Sequence, residues 1–306
     1  MEKSYEQMKP VIIGVDHGFH MMKTRNYVYE NGVERCDSKP AFDTNTLCYQ
    51  GKYYKVGESR MKVKKSKTMD EDYFLATLSA VAKEIEYRLL QRELEIVLAV
   101  GLPFTRYGAE QKAFRNYFMR DGKAIAFRFE GKEYEVTFQK VLCFPQCYAA
   151  IADRLGNMRG EYVVCDIGSW TIDIISVVDG VPQEKKCQTF DKAIINMMQE
   201  ISKECIALEG ESIPEKMIVE YIKNPRSTRI PVSYEKIICK ALMKFAKNVE
   251  GILKENGHSL SLSNIIYVGG GAGIMREYGY RGTNVSYLDD VTANARGYEF
   301  LAERMG

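Results

Sequence analysis

The sequence carries almost no net charge: 43 lysines and arginines against 41 acids leave +2 over 306 residues. No global field of either sign draws it onto nucleic acid, so direct DNA binding is not expected. Its eight cysteines include no CxxC pair, and Cys143, Cys165 and Cys239 sit inside apolar runs. That pattern argues against a zinc site or a disulfide framework and suits reduced, buried thiols. Long apolar runs are also missing. The longest uncharged apolar stretch, Ile96 to Thr105, contains a proline and is too short to span a bilayer. The opening MEKSYEQMK lacks the apolar core of a signal peptide. The expectation is a cytoplasmic protein with no membrane contact. What remains is length enough for two ordinary domains, and an aromatic content of 11% with 20 tyrosines, which suits a well-packed globule.

The most informative stretch is Glu161 to Asp173, EYVVCDIGSWTID. It reads as a buried strand, Tyr162 to Cys165, ending on Asp166, a sharp turn at Gly168, and a second apolar run from Ile172 to Val178. In such a hairpin the exposed turn amides form an anion-binding nest, and the carboxylate can hold a hydrated metal ion beside the anion. A lone DxG is more often an ordinary β-turn. Here a second copy exists: Val11 to Val15 is another short apolar strand, ending on Asp16 and turning at Gly18. Two acid-ended hairpins, one early in each half, predict two related domains facing each other across a cleft. A metal-bound phosphate chain would lie between the turns.

Taken in order, Thr24 to Glu30 reads as a strand, and Asn31-Gly32 as a hairpin turn into Val33 to Cys36, making a three-stranded meander. Leu47 to Tyr49 and Tyr53 to Val56 form a small hairpin. Arg60 to Lys67, RMKVKKSK, is either a solvated basic loop or a contact surface for an acidic partner or neighbouring subunit. Apolar spacing predicts helices over Asp70 to Arg92 and Tyr107 to Met119, with a buried strand over Glu95 to Leu102 between them. Strands are expected at Ile125 to Phe129, Tyr134 to Phe138 and Val141 to Phe144, the last passing through Pro145 into a helix. Gln146 at its mouth is either a solvated first-turn residue or a group aimed into the cleft. Further helices are expected over Asp191 to Leu208, Ile213 to Lys223 (ended by Asn224-Pro225) and Ser233 to Asn256, the last capped by Ser233 and stopped at Gly257. Met197 and Met198 read as core filling, and His258 as a solvated turn residue.

The buried strand Asn264 to Val268 then opens into Gly269-Gly270-Gly271-Ala272-Gly273 and a helix. This brings bare amides and a helix N-terminus near an anion, with no side chain to block a base or ribose. It matches neither GxGxxG, because Ile274 fills the last glycine position, nor a P-loop, which needs Lys-Ser/Thr. A strand at Val285 to Leu288 and a helix over Val291 to Ala302 close the chain.

Five elements thus follow in order: DHGFHMMK (Asp16 to Lys23), FPQCYAA (Phe144 to Ala150), DIGSWTID (Asp166 to Asp173), VGGGAGIM (Val268 to Met275) and ANARG (Ala293 to Gly297). This order resembles the phosphate-1, connect-1, phosphate-2, adenosine and connect-2 motifs of the actin superfamily. The compact length and closing ANARG helix look most like the bacterial plasmid-partitioning actins, the ParM family. The resemblance implies an α/β, actin-like fold: two related α/β domains with mixed five-stranded sheets flanking a nucleotide cleft. Domain I would span 1–160, with helix 290–306 packing back on it and a small subdomain at about 40–75; domain II would span 161–289. It also implies that Asp16 and Asp166 hold the water shell of Mg²⁺ on the β- and γ-phosphates of ATP, and later of ADP. The backbone of His17, Gly18, Phe19, His20 and Met21, and of Gly168, Ser169, Trp170 and Thr171, would cradle the phosphates. Lys23, seven residues after Asp16, would touch them. Gly269, Gly270, Gly271, Ala272 and Gly273 would lie against adenosine and the α-phosphate, and Gln146 would orient the attacking water. The family's turns are usually small or hydroxylated, whereas His17, Phe19, His20 and Trp170 are bulky, so the cradle is expected to be made by backbone. The two histidines either make phosphate affinity pH-sensitive or merely shape the loop.

Phosphoryl transfer to water needs charge neutralisation and in-line positioning more than a strong base. A neutral Gln146 can orient water without taking its proton, so hydrolysis is expected to be slow. The resemblance further implies ATP-dependent, head-to-tail self-assembly into filaments that segregate plasmid DNA through a DNA-bound adaptor protein, with GTP use open. Two alternatives stand beside it: a small-molecule kinase of the same superfamily, for which Gln146 is a poor base, and a filament scaffold with no segregating role.

Overall fold

The computed structural model describes residues 10–61, 67–191, 193–224 and 229–305. Most of the basic run Arg60 to Lys67, the opening MEKSYEQMK and Pro225 lie outside the described residues. The chain divides into two compact units, one of Met1–Asp153 with Thr292–Gly306 and the other of Arg154–Val291. The first unit begins with six short strands: β1 (Val11–His17), β2 (Met21–Lys23), β3 (Val28–Glu30), β4 (Val33–Cys36), β5 (Thr46–Tyr49) and β6 (Lys52–Val56). Helix α1 (Asp72–Tyr87), strand β7 (Glu93–Leu102), helix α2 (Phe104–Met119) and strands β8 (Ile125–Phe129) and β9 (Lys132–Pro145) follow. The second unit holds β10 (Glu161–Ile167), β11 (Ile172–Val178), β12 (Val181–Pro182), β13 (Gln188–Phe190), α3 (Ile194–Glu209), α4 (Glu215–Lys223) and α5 (Val232–Glu255). It ends with β14 (Asn264–Val268), α6 (Ala272–Tyr278) and β15 (Val285–Tyr287), after which α7 (Ala293–Glu303) returns to the first unit.

The two sheets share one plan. In the first unit β3-β2-β1 form an antiparallel meander, and β7 and β9 add in parallel beyond β1. In the second, β12-β11-β10 repeat the meander, and β14 and β15 add in parallel beyond β10. Each five-strand path is therefore a meander plus two crossover strands, as two related domains require. The sheets are larger than five strands, however. In the first unit β8, β5, β6 and β4 continue from the open edge of β9, giving nine strands; in the second β13 pairs with β11, giving six. An edge strand offers unpaired backbone groups, and β8 takes them up on β9.

Burial follows strand periodicity. On β7, Ile96, Leu98 and Val100 join a core with Ile13 and Val15 of β1 and Phe74, Leu78, Val81 and Ile85 of α1. The alternate residues Val97 and Ala99 face a separate cluster with Leu142, Phe144, Tyr298 and Ala302, where α7 packs. In the second unit, Val163, Cys165, Ile265 and Tyr267 pack against Ile201 of α3 and Leu242, Phe245 and Val249 of α5. Met197 and Met198 are buried there as core.

Several local readings are corrected. Asn31-Gly32 is not a hairpin turn: β3 pairs with β2, and β4 pairs with β6. Neither residue has positive φ. Asn31 is instead buried, its amide donating to the Gly18 carbonyl at 2.6 Å. Thr24 to Tyr27 is a turn, not strand, closed by the Thr24 N–H on the Tyr27 carbonyl. Val141 to Phe144 is no separate strand but the end of β9, whose register slips by one residue near Gln139. After Pro145 no α-helix forms. Cys147 takes a left-handed conformation (φ 66°), and only short 3₁₀ turns, Ala149–Ile151 and Leu155–Asn157, follow. Helix α1 stops at Tyr87, with Leu89 left-handed, and α5 has Pro231 as its N-cap in place of Ser233. His258 is buried, its amide donating to the Leu253 carbonyl at the close of α5.

Candidate functional site

Each unit carries one acid-ended hairpin, and the two are built alike. In both, five consecutive buried residues run up to the turn (Ile13 to His17, Val163 to Ile167), and the turn itself is half-buried. Antiparallel register then decides what faces each acid. Asp16 lies opposite Lys23, and Asp166 opposite Asp173.

In the first unit the i,i+7 spacing therefore becomes contact. Lys23 Nζ sits 3.1 Å from Asp16 Oδ2. Gln146 Nε2 donates to Asp16 Oδ1 at 2.9 Å across 130 residues. A carboxylate only accepts, so the amide must present its nitrogen, leaving Gln146 Oε1 as an acceptor for a proton of water. Gln146 stands there because its own N–H donates to the Leu102 carbonyl at the end of β7. The next amide, Cys147 N–H, donates to Asn294 Oδ1 of α7 at 2.9 Å. The small residues of both connector motifs meet here. A Cβ at Gly297 would stand 1.8 Å from the Ala149 carbonyl oxygen, so only glycine lets α7 come this close.

The turn proper is Gly18-Phe19-His20. His17 ends β1 and Met21 begins β2, so both belong to strands. His17 points inward: its Nε2 lies 2.7 Å from Thr77 Oγ1, and its ring stacks on Phe118 at 5.2 Å. The Thr77 hydroxyl proton is donated to the Tyr73 carbonyl, so His17 Nε2 carries the proton. Its Nδ1 finds no partner among the described residues. Burial, with Lys67 beside it, pushes the His17 pKa well below its ordinary value. Burial likewise pulls the Lys67 ammonium down to about 8, while the Asp16 carboxylate works in the opposite direction. His20 Nδ1 sits 3.3 Å from Arg60 Nη2. Of the two histidines, His17 shapes the loop from below.

A buried neutral His17 has a consequence for stability. In the unfolded chain it protonates near its ordinary value of about 6.5, while in the folded chain it resists. Its contribution is present above that value and is lost as pH falls below it; His258, also pushed down by burial, acts in the same direction. The melting temperature should fall between about pH 7.5 and 5.5, where ordinary carboxylates stay ionised. The fall should be shallower in a His17→Gln, His258→Gln variant. Equal slopes would show that neither imidazole is responsible.

In the second unit the Asp166 hairpin and the glycine turn are neighbours, because β10 and β14 run parallel and pair Asp166 with Val268. Gly269 follows with φ +81°, a conformation that favours glycine, and a Cβ on it would lie 2.2 Å from Asp166 Oδ1. The Gly271 N–H donates to the Ile167 carbonyl, locking the glycine turn onto the hairpin, and the Gly168 N–H donates to the Thr171 carbonyl across the hairpin tip. The Ser169 carbonyl accepts from Ile195 N–H at the start of α3. Gly270 and Ala272 complete the turn into α6, a helix of 7 residues. Trp170 is half-buried beside Thr171.

Asp173 also belongs to this site, although no motif assigns it a role. It is buried, and both its oxygens accept hydroxyl protons: Thr171 Oγ1 at 3.0 Å and Thr189 Oγ1 at 2.5 Å. It thereby orders the hairpin's return strand. Its place at the end of DIGSWTID was visible, but its partner Thr189 comes from β13, whose pairing the sequence did not reveal.

Both acids suit a hydrated divalent cation. Asp16 accepts one hydrogen bond on each oxygen and keeps further lone pairs for a cation's waters. Asp166 has a glycine beside it where any side chain would collide. Among the described residues no cluster of three His, Cys, Asp or Glu forms a direct metal cage.

Comparison with known proteins agrees with this arrangement. The family model of the N-terminal domain of actin-like proteins matches residues 14–148, and that of the C-terminal domain of the archaeal, MreB-like actin homologue matches residues 164–278. The chain belongs to the actin superfamily. Each model begins at a hairpin strand, and together they span both units of this actin-like protein. No curated protein sequence matches it significantly. Among solved structures it is similar to Ta0583, an archaeal actin homologue, with 17% identity and a TM-score of 0.78, over 96% of this chain and 99% of that one. It is similar to ParM from Clostridium botulinum, solved as a 15-stranded filament, with 18% identity and a TM-score of 0.77, over 97% and 100%. It is similar too to Alp12, also solved as a filament, with 14% identity and a TM-score of 0.70, over 97% and 99%. Ta0583 has also been solved with ADP.

Proposed function

We propose that this actin-like protein binds Mg-ATP, polymerises head to tail into filaments, and hydrolyses the nucleotide slowly. The observation that carries the reading is the duplicated hairpin, each copy ending a buried strand on an acid, with a glycine turn packed against the second. Asp16 and Asp166 would hold the cation's water shell. The cation supplies charge neutralisation on the phosphates. The turn Gly18 to His20 and the residues Ser169 to Thr171 would offer amides to phosphate oxygens, the Gly168 N–H being held by the Thr171 carbonyl; Lys23 would add charge, and Gly269 to Gly273 would lie against the nucleoside. Solved relatives support this: one carries ADP and two are filaments.

Gln146 is the residue for water. With its nitrogen committed to Asp16, its oxygen can accept a hydrogen bond from an attacking water but cannot take its proton, which sets orientation without general-base catalysis. Turnover is therefore that of a timer. Filament growth needs a surface that complements another surface of the same chain without closing a ring. We further propose that the filament moves plasmid DNA through a DNA-bound adaptor, since a net charge of +2 gives the chain little hold on DNA itself.

Right-angle light scattering and negative-stain electron microscopy with magnesium and ATP, GTP or ADP test this reading, together with phosphate release. Filaments that appear with the triphosphate and disperse after phosphate release are expected. Bound ATP with no scattering rise at high protein concentration removes the filament claim, and turnover as fast as a metabolic kinase removes the timer.

A further inference from the structure

Beneath the first hairpin lies a charge that none of these roles uses. Lys67 is 4% exposed. Its ammonium donates to the His17 carbonyl at 2.7 Å, and the rings of Tyr73 and Phe114 flank it at 5.7 and 5.9 Å. No carboxylate of the described residues lies within ion-pair distance; Asp16 acts on it only through space. An ammonium taken out of water without a paired anion is costly, and one carbonyl and two ring faces return only part of that. Its position gives the charge a use. The His17 carbonyl is one end of a peptide unit whose other end is the Gly18 N–H, the first amide of the turn. The unit is planar and trans, so fixing the oxygen fixes the direction of the N–H. An ammonium on the oxygen also polarises that N–H as a donor.

We propose that Lys67 is a positioning residue of the phosphate-1 turn, gripping the His17 carbonyl so that the Gly18 amide is held and polarised for a phosphate oxygen. This rests on the nucleotide reading above. In the free protein the buried charge is a liability; with a phosphate nearby it becomes an asset. A lysine that merely filled the core would behave oppositely, supporting the free fold and ignoring the ligand's charge.

Lys67→Met keeps the length and removes the charge. Phe114→Leu keeps the charge and disturbs the wall. Calorimetric binding of ATP and AMP, with melting of the nucleotide-free proteins, separates the two. For Lys67→Met we expect ATP to bind about tenfold more weakly, AMP to change by less than about twofold, and the free protein to melt near the wild-type temperature. Phe114→Leu should melt lower yet keep the wild-type ratio of ATP to AMP affinity. The proposal is overturned if Lys67→Met keeps that ratio, whether or not its melting temperature drops. If wild-type protein binds neither nucleotide, the reading of the site itself fails, and this inference with it.

Discussion

Asp16→Asn is expected to lower ATP turnover by about a hundredfold or more while leaving the fold intact. Asparagine keeps the shape and one oxygen, so Gln146 Nε2 can still donate as it does at 2.9 Å in the native protein. What disappears is the negative charge that pairs with Lys23 and would hold the waters of a cation. The new amide nitrogen would also face the Lys23 ammonium, donor against donor. Turnover measured across a magnesium series should show weaker metal dependence as well as lower rate. Asp166→Asn should produce a loss of the same order, since Asp166 occupies the equivalent end of its own hairpin. Gln146→Ala should cost less, roughly tenfold, because it removes orientation but not charge neutralisation. Turnover in Asp16→Asn within about threefold of wild type would defeat the assignment, provided melting shows the variant folded.

The largest effect on stability is expected away from the turns. Arg88→Met should destabilise the protein by about 3–5 kcal/mol. Arg88 Nε lies 2.6 Å from Glu84 Oε2, Nη2 contacts Glu299 Oε1, and Nη1 donates to the Ile12 carbonyl at 2.7 Å. Glu84 also accepts from Thr24 and Asn26, and Glu299 from the Gly14 N–H at 3.0 Å and from Arg25 at 3.2 Å. Both glutamates are buried, so removing the shared guanidinium leaves Glu84 with neutral donors alone and Glu299 with Arg25 as its remaining cation. The network clamps the end of α1, the turn after β2 and helix α7 onto β1, the strand that presents Asp16. Urea unfolding should show the midpoint fall at an unchanged slope, and adding Glu299→Gln should recover part of the loss. A loss below about 1 kcal/mol would mean water reaches the cluster.

How much of this was legible in the chain depended on how local the cause was. Acid-ended strands, glycine turns and the amphipathic runs of α1, α3 and α5 are written in neighbouring residues, so the hairpins and most elements could be placed from spacing. The ordered set of five motifs then carried the family. Asn31-Gly32 misled because a turn-prone pair makes a hairpin only if its flanking strands pair, and β4 found a better partner in β6. The left-handed backbone at Cys147 is not legible locally, since its N–H is held by Asn294, 147 residues away. His258 reads as solvated because a polar turn does not show what packs over it in the folded chain.

By itself, then, the amino-acid order determined that each half carries a buried strand ending in an acid, a tight turn and a return strand, because alternation and turn chemistry act over a few residues. Only the folded sheets decided what those acids meet: Lys23 and Gln146 at Asp16, Gly269 at Asp166, the hydroxyls of Thr171 and Thr189 at Asp173, and the Lys67 ammonium under His17. The physical reason is that strand order and register, set by which apolar faces bury together, bring distant residues to one spot. No local preference encodes such a meeting.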